Sequence, residues 1–366
     1  MKKLKESNGL WVLVLVMFLL VSVPGVSAKE YPTLYRGVRP LGMGGAFTAV
    51  ADDENALFYN PAGLSDLSTL RMGILNPLVE VSENTLDMID DAQDTDFDDT
   101  GETVEFLRDY VGEHQHLRAS LLPNVGFNLG GCGIMVAGLA QATVDLDVRN
   151  PVWPEAHVDT VTDVGLLAGI GLKLPFTGLR AGASIKFISR ESLEEIYTAT
   201  DIASDDFEDQ VDDDTNSGSG IGIDAGAIYT LPFVEIVDLD VGLAIQNVPE
   251  MEMGDAKPLE TQANLGLAAK KSFAGFDLIA ALDYMDLSNS YDEDDDIAKR
   301  IHMGVELQLP AVLSVRTGSN QGYFTAGATV DFKAVRFDVA TYGEEVGAYA
   351  GQREDRRYVA QITIGW

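Results

Sequence analysis

The sequence predicts an all-β protein: a 14-stranded antiparallel transmembrane β-barrel with an N-terminal hatch in its lumen. Three observations carry this reading: a secretory leader, an apolar period of two through most of the chain, and connections that alternate between tight and long. Residues 1–28 form the leader. Lys2, Lys3 and Lys5 precede the apolar run LWVLVLVMFLLVSV, and Val26-Ser27-Ala28 has the small-residue pattern of a cleavage site. Pro24 and Gly25 break the apolar run before that site and favour cleavage over retention as an anchor. The single cysteine, Cys132, excludes an intramolecular disulfide. The formal net charge of the 366 residues is −33. Removing the basic leader leaves a still more acidic chain, which argues against nucleic acid and other polyanions as partners.

The period of two is clearest in VDLDVGLAIQN. Val237, Leu239, Val241, Leu243 and Ile245 alternate with Asp238, Asp240, Gly242, Ala244 and Gln246, so the large apolar groups share one face of a strand. The same alternation recurs at 179–187, 222–231, 276–284, 301–309, 324–332 and 335–340. A soluble sandwich and an outer-membrane barrel both alternate, with opposite faces inward. The barrel is favoured because the polar faces are rich in Gly, Ala and Ser, which suits a crowded lumen. Connections such as LPFTG, LPFVE and DFKAV are tight, whereas those around 83–116, 190–218 and 286–300 are long and acidic, as periplasmic turns and external loops are. The chain ends RRYVAQITIGW, an alternating strand closed by Trp366 that resembles the signal read by the barrel assembly machinery.

Strands are expected near 70–82, 117–129, 133–148, 160–174, 179–189, 219–231, 237–248, 261–270, 276–286, 301–309, 311–318, 323–332, 335–343 and 356–366. That gives three segments: 1–28 leader, 29–68 hatch or plug, 69–366 barrel. Fourteen strands enclose more space than wall side chains fill, since eight suffice for a packed interior. Residues 29–68 are the available filler. Gly42, Gly44 and Gly45 permit close approach, Met43, Phe47 and Phe58 supply apolar bulk, and Pro61 within Asn60-Pro61-Ala62 forces a break.

The stretch RGVRPLGMGGAFTAVADDENALFYNPAGLS resembles the N-terminal signature of the FadL family of outer-membrane transporters for long-chain fatty acids and other hydrophobic compounds. Asn60, Pro61 and Ala62 match its Asn-Pro-Ala motif residue by residue. The resemblance implies a fourteen-stranded barrel in a Gram-negative outer membrane, with lipid and lipopolysaccharide around it. It also implies passive uptake of a hydrophobic small molecule gated by the hatch, and no enzymatic activity or cofactor. Relatives with the same signature include the secretion shuttle of the PorV type, which implies an interaction protein as the alternative. The acidic loops IDDAQDTDFDD, DIASDDFEDQVDDD and DEDDD would repel a fatty carboxylate and could hold divalent cations loosely against lipopolysaccharide.

Other signals are weaker. DDDTNSG at 212–218 begins like a calcium loop, but Ile223 stands where glutamate is required. His114 and His116 are expected in a solvated loop, with no third ligand and hence no metal. In TVEFLRDYV, Val104, Leu107 and Val111 share a helical face beside Phe106 and Tyr110, which suggests a helix capping the barrel mouth or an external entry site.

Overall fold

A computed structural model describes residues 33–175, 178–232, 236–290 and 296–365. The leader, the first residues of the expected hatch, most of the DEDDD loop and Trp366 lie outside the described residues.

The alternating segments close into one barrel of fourteen antiparallel strands. Strand β1 comprises Leu70–Leu75 and Leu78–Ser82, and β2 comprises His114–Leu121 and Asn124–Leu129. They are followed by β3 (Cys132–Arg149), β4 (Glu155–Lys173), β5 (Leu179–Thr198), β6 (Asn216–Thr230) and β7 (Asp238–Gln246). The second half is β8 (Gln262–Phe273), β9 (Phe276–Tyr284), β10 (Ile301–Gln308), β11 (Leu313–Asn320), β12 (Tyr323–Asp331), β13 (Val335–Glu345) and β14 (Glu354–Gly365). Both halves of β1 pair with β14, so no sheet edge is left unpaired. The connections at one end are all tight, whereas the other end carries the long ones together with two tight turns, at 150–154 and at Gln321-Gly322, that the expected alternation did not foresee.

Which face looks outward decides between sandwich and membrane barrel. On β7, Leu243 is 44% exposed, whereas Asp240 and Ala244 on the opposite face are buried. Neighbours repeat the pattern: Ile185, Phe187, Leu265 and Leu267 are exposed, and Ser184, Lys186, Asn264 and Ala268 are buried. A continuous apolar outer belt over a polar and small-residue interior is the polarity of an outer-membrane barrel.

Three features depart from the expected strands. First, β1 and β2 are interrupted at the same height, by Asn76-Pro77 and by Leu122-Pro123. Proline cannot donate to a ladder, and the Asn76 side-chain amide takes its place, donating to the Leu122 carbonyl at 2.6 Å and accepting from the Leu122 amide at 2.7 Å. Second, β3, β4 and β5 run 18, 19 and 20 residues. About 9–11 residues span the hydrocarbon, so this part of the wall stands well above the membrane. Third, β2 begins at His114. The two histidines therefore lie on the wall and not in a solvated loop. His116 is buried, with Nδ1 2.6 Å from Asp145 and Nε2 3.1 Å from Glu80. The acidic partners that draw it inward are distant in sequence.

Candidate functional site

Residues 33–68 fill the middle of the lumen. The segment has little regular structure: a five-residue helix α1 (Val38–Gly42), a single turn α2 (Ala56–Tyr59) and a 3-10 helix at Pro61–Asp66. Of the expected hatch residues, Gly42, Met43, Gly44, Gly45, Phe47, Phe58, Asn60, Pro61 and Ala62 are all buried. Met43, Phe47, Leu57 and Phe58 join wall residues Leu122, Met135, Leu139, Leu167 and Ile188 in one apolar core.

Close packing of one backbone on another requires a wall without side chains, and glycines supply it. Gly133, Gly171, Gly182 and Gly226 are direct register partners across β3, β4, β5 and β6. The Asn60-Pro61-Ala62 turn rests on this platform. A Cβ at Gly182 would stand 2.3 Å from the Pro61 carbonyl oxygen, and one at Gly226 2.0 Å from Asn60 Oδ1. Two further glycine pairs do the same for the preceding loop: Gly242 and Gly266 face Thr48, and Gly304 and Gly318 face Met43.

Asn60 satisfies the polar groups of the turn. Its Oδ1 accepts from the Ala62 amide at 3.1 Å and caps the 3-10 helix, while Nδ2 donates to the Thr48 carbonyl at 2.8 Å. Pro61 follows at the first helical position, where a missing N–H costs nothing. The loop before it is gripped by adjacent lumen residues of β9 and β10: Asp283 accepts from the Phe47 and Thr48 amides at 2.8 and 2.7 Å, and His302 lies 2.8 Å from the Gly44 carbonyl.

Charged contacts secure the periplasmic side. Arg39 forms a two-pronged pair with Glu306 at 2.9 and 2.8 Å and also reaches Asp52 and Asp53. Asp66 binds Lys173 and Arg180, and Glu54 binds Arg71 and Arg336. Burial alone would raise the Glu54 carboxyl, but the guanidinium groups of Arg336 and Arg71 outweigh it and hold the group well below the usual carboxylate range. These pairs line a polar cavity of about 750 Å³ below the segment. On the other side, a cavity of about 50 Å³ borders Tyr35, Phe58, Tyr59, Gln246, Asn247 and Gln262. The segment therefore lies between an open polar vestibule and this small cavity of the upper lumen.

The external helix forms at Thr100–Asp109 (α4), after α3 at Thr85–Asp94. Leu107 and Tyr110 are buried, and Val104, Phe106 and Val111 pack at the edge of the same cluster. Of their partners, Val148, Ala156 and Tyr197 form one register row, and Val158 and Leu193 lie on the same lipid-facing side of the β3–β5 wall, above the membrane. The five residues thus cover the outer surface of the protruding wall and do not line the lumen. Sequence spacing revealed the helix face but not which side of the wall it would meet.

The reading of the sequence also missed an inward-folded connection. Between β7 and β8, Met251–Met253 pairs with Ala256–Leu259 as a small hairpin inside the upper lumen. The only signal was the Met-Glu-Met alternation before the Gly254-Asp255 turn, too short to mark a strand. Among the described residues no group of His, Cys, Asp and Glu is arranged to hold a metal ion.

No protein-family model matches the sequence, and no curated protein matches it. Solved structures do. The toluene transporter TbuX of Ralstonia pickettii is similar over 90% of this chain and 97% of its own, with a TM-score of 0.54 and 11% identity. The fold is shared. The CymD monoaromatic hydrocarbon channel aligns over 92% of this chain and 98% of its own at TM-score 0.52 and 11% identity. A mutant of the TodX monoaromatic hydrocarbon channel aligns over 90% and 97% at 0.51 and 12%. The chain thus shares its fold with these three structures, at an identity that speaks for fold alone.

Proposed function

We propose that the chain is a passive outer-membrane channel for neutral hydrophobic small molecules, held shut by residues 33–68. The observation that carries this reading is the apolar core running across the lumen from Met43, Phe47 and Phe58 to Leu139 and Ile188. A channel for hydrophilic solutes has a polar, water-filled interior, whereas a hydrophobic molecule can replace apolar side-chain contacts one for one.

Charge favours a neutral cargo over the fatty anions that the FadL resemblance allows. The external loops are strongly acidic, and the upper-lumen cations already face carboxylates: Lys186 with Asp224 at 2.9 Å, Arg190 with Asp163 at 2.7 Å, Arg118 with Glu80. A fatty carboxylate would have to break one of these buried pairs. The toluene transporter and the monoaromatic hydrocarbon channel that share the fold support the same class.

Proteoliposomes supply the test. Protein-dependent entry of toluene, well above that of oleate, is expected. Absence of any protein-dependent entry, together with an altered set of secreted proteins in a deletion strain, would favour the PorV-type interaction role instead.

A further inference from the structure

The connection between β7 and β8 folds into the barrel. Its hairpin shares no ladder with the barrel sheet. Met251, Met253, Ala256 and Leu259 are nonetheless buried, in the same apolar core as Leu57 and Phe58 of the N-terminal segment. The facing wall is β6, which turns Gly218, Gly220 and Gly222 toward the hairpin. Met251 Sδ lies 2.2 Å from where a Gly222 Cβ would stand, and the Met253 carbonyl oxygen 1.7 Å from a Gly218 Cβ. Without the hairpin this stretch of wall would be a groove with no side chains of its own.

The polar bonds that hold the hairpin cluster at Lys257, in its second strand just after the turn. Lys257 Nζ binds Asp159 at 2.5 Å and Glu194 at 2.7 Å, its amide donates to Ser192 Oγ at 2.9 Å, and its carbonyl accepts from Arg190 at 3.2 Å. Arg190 belongs to a row that reaches the N-terminal segment. Gln141, Asp163 and Arg190 are register partners on β3, β4 and β5. Arg190 donates to Asp163 at 2.7 and 2.9 Å, and Gln141 donates both to Asp163 at 3.2 Å and to the Leu34 carbonyl at 2.5 Å. One hydrogen-bonded row thus connects the two lumen fillers.

We propose that the space filled by Met251, Met253 and Leu259 is the binding site for a neutral hydrocarbon, and that the hairpin is its resting occupant, displaced when the ligand enters from outside. This rests on the uptake reading above and adds the site and the outer gate to it. Unbranched thioether side chains adapt to irregular apolar space and yield it with little strain. Each cation beside the site is paired, so the ligand is uncharged. Displacing Lys257 from Arg190 also removes one end of the row that holds the Leu34 carbonyl, which ties outer opening to the N-terminal segment.

A reversible lock tests this. A Cβ at Gly220 would stand 3.6 Å from that of Met251, within the roughly 3.5–4.5 Å that a disulfide requires. The double variant Gly220→Cys/Met251→Cys, carrying Cys132→Ser to prevent mispairing, is reconstituted and assayed for toluene entry before and after reduction. The oxidised protein should lose at least tenfold of the protein-dependent rate, and a reductant should restore it. Equal rates in both states overturn the proposal. Should the pair not assemble, Leu259→Trp gives a second readout: added toluene should shift the indole emission to longer wavelength as the hairpin leaves its buried site. Unchanged emission overturns the proposal as well. Failure of wild-type protein to admit toluene would remove the uptake reading itself, and the indole emission would still decide the site.

Discussion

The two fillers of the lumen are held by different physics. The N-terminal segment lays its backbone directly on wall glycines and sets Arg39 against Glu306, a carboxylate with no exposed surface. The β7–β8 hairpin lays backbone on Gly218 but the flexible side chain of Met251 on Gly222, and it is pinned by Lys257, whose side chain is 28% exposed, to Asp159, which is 40% exposed. Backbone contacts cannot relax by rotating a side chain, and buried ion pairs are screened far less than exposed ones. On the proposed reading the partly exposed ion pair makes the outer filler the one that yields first, and the inner one sets the resting seal.

The largest effect should come from removing the inner filler. Deleting residues 42–64 leaves every strand and its lipid face intact, so a barrel should assemble. It should then pass small hydrophilic solutes that the intact protein excludes, because the deleted residues are those that separate the 750 Å³ vestibule from the upper lumen. Planar-bilayer conductance reads this directly. An intact protein already conducting as an open pore would break the comparison at its base.

What the sequence made legible follows from the range of each interaction. The period of two along Val237–Gln246 is local, so the strands could be read from it, while their facing and the barrel needed the small residues of the polar faces and the tight and long connections as well. The abundance of Gly on the polar faces marked a crowded lumen, but not that Gly133, Gly171, Gly182 and Gly226 would align into one platform, since alignment depends on register between strands. Asn60-Pro61-Ala62 was visible as a motif. Its partners Thr48, Ala227 and Leu243 were not, being set by tertiary approach. His116 was misplaced for the same reason, and the Met251–Leu259 hairpin escaped because four apolar residues in a short connection carry no periodic signal.

Both fillers presuppose a wall whose faces are correctly assigned. Leu243→Arg puts a charge on the lipid face and should cost about 2–4 kcal/mol near the midplane. Gln246→Arg, on the lumen face of the same strand, should spare barrel assembly while losing the hydrogen bond that Gln246 gives the Phe58 carbonyl. A heat-resistant folded band on a gel separates the two, and equal loss in both variants would reverse the faces.

Glycine substitutions compare the fillers at a single methyl group. An added Cβ meets the Pro61 carbonyl oxygen, Pro61 C and the Ala62 amide at 2.3–2.5 Å for Gly182→Ala, all of them backbone atoms. It meets Met251 Sδ and Cγ for Gly222→Ala, the end of a rotatable chain. Overpacking that cannot relax costs about 1–3 kcal/mol, so Gly182→Ala should destabilise the protein by that amount and leak in the bilayer. Gly222→Ala should cost less than about 1 kcal/mol and stay closed. The reverse order would make the hairpin the more rigid of the two.

The smallest effect should be Lys257→Met. This substitution keeps the length of the side chain and removes its charge, so it deletes the pairs to Asp159 and Glu194 while leaving the apolar contacts of Met251, Met253 and Leu259 in place. Partly exposed pairs contribute about 0.2–1 kcal/mol, too little to lower the unfolding midpoint noticeably. It is enough, however, to shift a balance between seated and displaced hairpin. Toluene entry should therefore rise by roughly two- to fivefold, the factor that 0.4–1 kcal/mol represents, with conductance to hydrophilic solutes unchanged because the inner seal is untouched. Salt sharpens the test. About 1 M salt shortens the screening length to about 3 Å, so wild-type entry should approach that of the variant, whereas the variant itself should scarcely respond. Entry that is insensitive to both the substitution and salt would show that the hairpin is held by its apolar contacts, and the two fillers would then differ in position only.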